Sequence, residues 1–178
     1  GCLNLDAHFD LRPSQPLMTS GSGFRLSIEE GHLDPKYFVE FGIQPQCNRK
    51  ELFEYARQKK IRIVPLAVIK PGSAVATFKE ELDALAKKVD RVFLSLDLDV
   101  VAEAFAPGVS APGAEGLTSN ELLAMMAIAG KNPKVQILGV FELCPPQDQG
   151  DRTARLAATA VDRFVRGPYD AAKGGVNQ

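Results

Sequence analysis

The chain has 178 residues, 45% hydrophobic and 24% charged, with 21 basic against 22 acidic side chains and a net charge of −1. This balance excludes a disordered or fibrous chain and supports one sizeable globular core. It also gives no global field to draw in nucleic acid or an anionic membrane, so neither is expected as a partner.

The apolar residues 2–5 end abruptly at Asp6, like the last turn of a strand. A domain seldom opens in mid-strand, so an N-terminal portion is expected to precede them, and its absence would leave this strand as an exposed apolar edge. Residues 11–36, rich in Gly and Pro, read as a long loop. Tyr37–Ile43 reads as a strand, and Asn48 with Glu51 as a capping box that opens a helix to about Lys60. Ile61–Leu66 is the next strand, followed by a helix carrying Phe78, Leu82, Leu85 and Val89 on one face. Arg91–Leu96 reads as a strand, Thr118 with Glu121 as a second capping box leading a helix to about Gly130, and Val135–Phe141 as a strand. A last helix is expected from about Thr153 to Val165, so that one domain spans 1–167 and Pro168–Gln178 form a frayed tail. Alternation of this kind predicts a three-layer α/β/α fold with a mostly parallel sheet, and the opening in mid-strand adds the expectation that its N-terminal strands are lacking. Ligands in such folds bind beyond the carboxyl ends of the strands.

Three apolar strands end there in acids: Asp6-Ala7-His8-Phe9-Asp10, Asp97-Leu98-Asp99, and Glu142. With a strand-like spacing of two, Asp6, His8 and Asp10 are expected to point one way, and so are Asp97 and Asp99. A single Asp at such a position reads equally well as a helix cap. The whole set, with one of only two histidines in the chain, reads instead as a metal site, because clustered carboxylates repel one another unless a cation compensates. Oxygen donors with one imidazole and no thiolate favour a hard divalent ion, and the imidazole favours manganese. The surplus of acids suits a pair of ions, which activate water for hydrolysis. His32, beside Gly31, reads as a solvated loop residue, and Cys2, Cys47 and Cys144, odd in number and without C-x-x-C spacing, as reduced thiols of a cytoplasmic protein.

Asp6-Ala7-His8-Phe9-Asp10 and Ser95-Leu96-Asp97-Leu98-Asp99 resemble the metal motifs of the arginase-like ureohydrolase family. The stretches Asn4–Pro13, Thr19–Arg25, Gly42–Pro45, Ala106–Pro112 and Thr153–Ala157 are similar to its formimidoylglutamase branch. The resemblance implies a binuclear Mn²⁺ hydrolase acting on amidines or guanidines. Asp6 and Asp97 would bridge both ions, His8 and Asp99 complete one, and Asp10 bind the other and shuttle protons. Glu142 would receive the cationic C–N group of the substrate. The implied substrate is N-formimidoyl-L-glutamate, cleaved to L-glutamate and formamide in histidine degradation; agmatine, guanidino acids and arginine are alternatives, as is an inactive metal-binding fragment. A substrate with two carboxylates calls for guanidinium forks, and Arg12 and Arg25, with Ser20 in the Gly-Ser run, are the candidates. The resemblance also implies a homo-oligomer. Two departures stand out: Ala102-Glu103 replaces the family's usual Asp-Pro, and the Gly-Gly-x-His that supplies one further ligand does not occur in the sequence. A C-terminal part of the enzyme is therefore expected.

Overall fold

The computed structural model describes residues 1–69 and 72–172 of the chain. Five parallel strands form one sheet: β1 (Cys2–Leu5), β2 (Phe38–Ile43), β3 (Arg62–Pro65), β4 (Val92–Asp97) and β5 (Val135–Phe141), in spatial order β3-β2-β1-β4-β5. The helices are α1 (Gly23–Glu29), α2 (Lys50–Gln58), α3 (Ala74–Ala86), α4 (Ser119–Lys131) and α5 (Arg152–Ala172). Every residue of β1 and β2 is buried, as strands covered on both faces must be.

Side-chain alternation divides the core in two. Leu3, Leu5, Leu94 and Leu96 face Phe78 and Leu82 of α3 and Met125 of α4, while Cys2, Phe38 and Ile43 face Ile28 of α1 and Leu52 and Tyr55 of α2. On this second face α1 and α2 do not reach β5, whose Ile137 and Phe141 remain exposed, and β5 has β4 as its only strand neighbour among the described residues. The edges are thus β3 and β5, and residues 2–5 form neither. β1 is the central strand, paired at Leu3 with both Val39 and Leu94.

Two elements differ from the sequence reading. Within the expected loop 11–36, residues Gly23–Glu29 form a helix, because Phe24 and Ile28, one turn apart, pack on the second core and Phe24 lies 4.7 Å from Phe38, which outweighs the poor helix propensity of Gly and Ser. The last helix runs to Ala172, past Pro168, into the segment read as a tail; residues 173–178 lie outside those described. The second capping box is present, with Glu121 N donating to Thr118 Oγ1 at 3.2 Å and Thr118 N to Glu121 Oε2 at 2.8 Å. The first is not, for reasons that belong to the site.

Chain order runs outward from β1 through β2 to β3, then returns to the other side of β1 for β4. The crevice at this reversal lies beyond the carboxyl ends of β1 and β4, where Asp6 follows one strand and Asp97 ends the other.

α4 and α5 cross in backbone contact at Gly130 and Gly167, and a Cβ on Gly130 would overlap the Phe164 backbone. Gly130→Ala is expected to force the helices apart and to cost about 1–3 kcal/mol, as overpacking does. A lowered denaturant midpoint with an unchanged slope is the measurement that checks it.

Candidate metal centre

The two acidic motifs meet through a shared local turn, and strand alternation is not the cause. β1 ends at Leu5, and Asp6 Oδ1 accepts a hydrogen bond from His8 N at 2.6 Å; β4 ends at Asp97, whose Oδ1 accepts from Asp99 N at 3.0 Å. Each D-x-(H/D) run therefore closes an Asx-type turn that folds its third residue back toward its first. Ala7 N donates to Asp99 Oδ1 at 3.2 Å, which ties the two turns together. Gly42, at φ +95°, has no Cβ to collide with Val100 beneath the second turn, where a Cβ would lie 2.5 Å from Val100 Cγ2.

These turns bring Asp6, His8 and Asp99 together, with one ligand atom from each within 4.8 Å of the others. His8 Nδ1 lies 2.8 Å from Asp99 Oδ2 and 3.7 Å from Asp6 Oδ1. Asp10, Asp97 and Glu142 line the same cavity of about 140 Å³, together with Arg12, Ser20 and Ser110. Asp10 and Glu142 adopt φ +50° and +64°, a left-handed backbone that non-glycine residues seldom hold and that concentrates at functional sites. Ser110 Oγ donates to Glu142 Oε2.

Electrostatics shows what the cluster lacks. Burial, then the neighbouring Asp6 and Asp99, pushes Asp97 up to about 9. Burial raises Asp6 to about 7 and Asp10 to about 6, against the pull of His8 on both. His8 moves up to about 11 because Asp6 and Asp99 accept from it. Such carboxylates hold protons only for want of positive charge. The donor set, hard oxygens with one imidazole, fits Mn²⁺, and the proton on His8 Nδ1 competes with an ion for the same three atoms.

Several supporting residues carry no motif signal. Asn48 does not cap α2; its Nδ2 donates to Ala7 O at 2.8 Å and Gln44 O at 2.9 Å, and its Oδ1 accepts from Phe9 N at 3.0 Å, so it pins the loop that carries His8. Asn4 Nδ2 donates to Asp6 Oδ2 at 3.1 Å and to Glu40 Oε2 at 3.0 Å. Glu40 is wholly buried, and burial pushes its carboxyl well above the usual range. Arg25 does not reach the cavity. Once residues 23–29 turn helical, its Nε pairs with Glu29 one turn on at 2.8 Å and its guanidinium stacks 4.3 Å over Tyr55. His32 is exposed, 3.4 Å from Glu30.

The arginase family model matches residues 1–166. The chain belongs to the arginase family. It is 38% identical over 169 residues to the formimidoylglutamase of Staphylococcus carnosus, covering 93% of this chain and 52% of that protein. The crystal structure of formimidoylglutamase from Bacillus subtilis superposes with a TM-score of 0.89 at 28% identity, covering 99% of this chain and 54% of that one. Trypanosoma cruzi formiminoglutamase, solved with Mn²⁺, superposes with a TM-score of 0.86 at 32% identity, covering 94% of this chain and 56% of that one. The chain thus spans about half the length of the curated relatives it matches.

Two predictions follow from the raised proton affinities. In the metal-free chain the folded state keeps protons that the unfolded state has lost, from the ordinary Asp value of 3.8 to about 9 for Asp97 and from 6.5 to about 11 for His8. Unfolding free energy in chelator should therefore fall as pH rises through this window, read from denaturation at pH 5, 7 and 9. Mn²⁺ should displace the same protons, so its apparent affinity should rise with pH and calorimetry at pH 7.5 should show proton release on binding. Asn48→Ala, which frees the His8 loop, should weaken Mn²⁺ by roughly 10–100-fold; titration followed by Mn²⁺ electron paramagnetic resonance measures it.

Proposed function

We propose that the protein is a manganese-dependent hydrolase that cleaves N-formimidoyl-L-glutamate to L-glutamate and formamide, a step of histidine degradation. The observation that carries this reading is the convergence of Asp6, His8, Asp10, Asp97 and Asp99 on one cavity at the reversal point of the sheet. Membership of the arginase family and the activity named for its formimidoylglutamase relatives support the choice of substrate.

Asp6, His8, Asp10, Asp97 and Asp99 would hold the ions. When bound, the pair supplies Lewis-acid activation of water at neutral pH. The remaining chemistry falls to side chains of this chain. Water oxygen adds to the amidine carbon, and the bond from that carbon to the glutamate nitrogen breaks. Asp10 takes one proton of the water and passes it to the departing nitrogen, and the remaining hydroxyl proton leaves as the formamide carbonyl forms and ends on the ammonium of glutamate. Glu142, fixed by Ser110, faces the cationic amidine, and Arg12 and Ser20 stand where the rest of the substrate would pass.

A cytoplasmic homo-oligomer belongs to the same reading. No helix among the described residues is long and apolar enough to cross a membrane, the three cysteines are free thiols, and the unpaired edge of β5 offers a surface for assembly.

With Mn²⁺ added, formimidoylglutamate should yield formamide, while arginine and agmatine should yield no urea. Asp10→Asn should lower kcat by roughly 10²–10⁴-fold, the range of a lost acid–base group. Urea from a guanidine substrate would move the reading to a ureohydrolase, and failure to bind Mn²⁺ would reduce it to a structural remnant.

A further inference from the structure

Beside the metal cluster lies a second cavity of about 460 Å³ that shares His8, Asp10 and Arg12 with it and adds Arg49 at the start of α2. Neither guanidinium makes an ion pair or a side-chain hydrogen bond among the described residues. Another cavity at the cluster, of about 350 Å³, is walled by Phe24, Phe93 and Phe141 and by Asp6, Asp10, Asp97 and Glu142, with no basic side chain in its lining. The surroundings of the cluster are thus polarised, with acids and aromatic rings in one cavity and guanidiniums in the other. The guanidiniums of the second cavity draw in a dianion, even with Glu51 on the rim, whereas the first offers it no basic partner.

We propose that Arg12 and Arg49 form a dicarboxylate subsite, in which Arg49 determines specificity for an acidic side chain on the substrate. The proposal deepens the reading above and rests on it for the identity of the substrate. In N-formimidoyl-glutamate the α-carboxylate stands nearer the amidine carbon than the side-chain carboxylate does. Arg12, which lines both cavities, takes the α-carboxylate; Arg49, which lines only the outer one, takes the side-chain carboxylate. Both are anchored to the cluster. Arg12 N donates to Gly21 O at 2.8 Å, and its side chain passes close over Gly21, where a Cβ would meet Arg12 Cδ at 3.0 Å. Arg49 follows Asn48, whose three hydrogen bonds to Ala7, Phe9 and Gln44 fix its distance from the His8 loop.

The test is competition binding of glutarate and butyrate to the Mn²⁺-saturated chain and to Arg49→Gln and Arg49→Lys. The parent should prefer the dicarboxylate glutarate by about tenfold or more, the worth of one charge-assisted contact. Arg49→Gln should bring glutarate down to the level of butyrate without moving butyrate, and Arg49→Lys should restore part of the preference. In turnover, Arg49→Gln should raise KM for formimidoylglutamate by about tenfold with kcat nearly unchanged. Equal glutarate binding by parent and Arg49→Gln overturns the subsite, as does a parent that does not distinguish the two acids. An Arg49-dependent glutarate preference without formimidoylglutamate turnover supports the subsite and faults the assigned reaction instead.

Discussion

Four aspartates and a glutamate share a cavity of about 140 Å³, and the basic side chains lining it are His8 and Arg12. Burial first, and then the neighbouring carboxylates, raise the proton affinities of Asp6, Asp10 and Asp97, so these groups cannot all ionise without a compensating cation. Protons relieve this conflict weakly and divalent cations relieve it well. The rest of the fold can be understood as the frame that keeps these side chains together in spite of their repulsion.

The frame works mainly through backbone hydrogen bonds accepted by the acids themselves. Asp6 and Asp97 each spend one oxygen on closing a turn, and Asp99 spends one on Ala7 N, so that their carboxylates cannot swing out to solvent. Asn48 and Asn4 add neutral donors around the same loop, holding it without adding charge to a crowded site. Glu142, directly after β5, and Asp10, in the loop that follows β1, both hold a left-handed backbone of the kind that concentrates at functional sites. Beyond the cluster, Arg12 and Arg49 line one cavity while the other has no basic side chain in its lining, and this asymmetry gives the crevice a direction.

The sheet is covered unevenly. α3, α4 and α5 lie against the first core, whereas α1 and α2 cover the second face over β1 and β2 and leave Ile137 and Phe141 of β5 exposed. An unpaired parallel strand with apolar side chains on its open face is a template for further pairing. This open side belongs to a chain that spans about half the length of its curated relatives.

Much of this was legible in the sequence, because the acids sit at the ends of apolar runs and parallel sheets place all such ends on one edge. The succession of strands and helices along the chain, the Thr118 capping box and the meeting of Asp6, His8 and Asp99 could be read without the structure for that reason. Short-range rules misled where a long-range contact supplied more energy than local preference. Asn48 bonds Ala7 instead of capping α2, residues 23–29 coil because Phe24 and Ile28 have a core to meet, and α5 continues past Pro168. The central place of β1 and the open edge of β5 depend on which strands pair, and an all-buried run of four residues does not encode its neighbours. The chain alone determined which acidic side chains would gather with His8 at one edge of the sheet. Tertiary structure decided which arginine stands beside them: Arg25, inside a matching motif, is taken up by Glu29 and Tyr55, whereas Arg49, distant in sequence from Asp10, comes to line a cavity with it through the fold of α2.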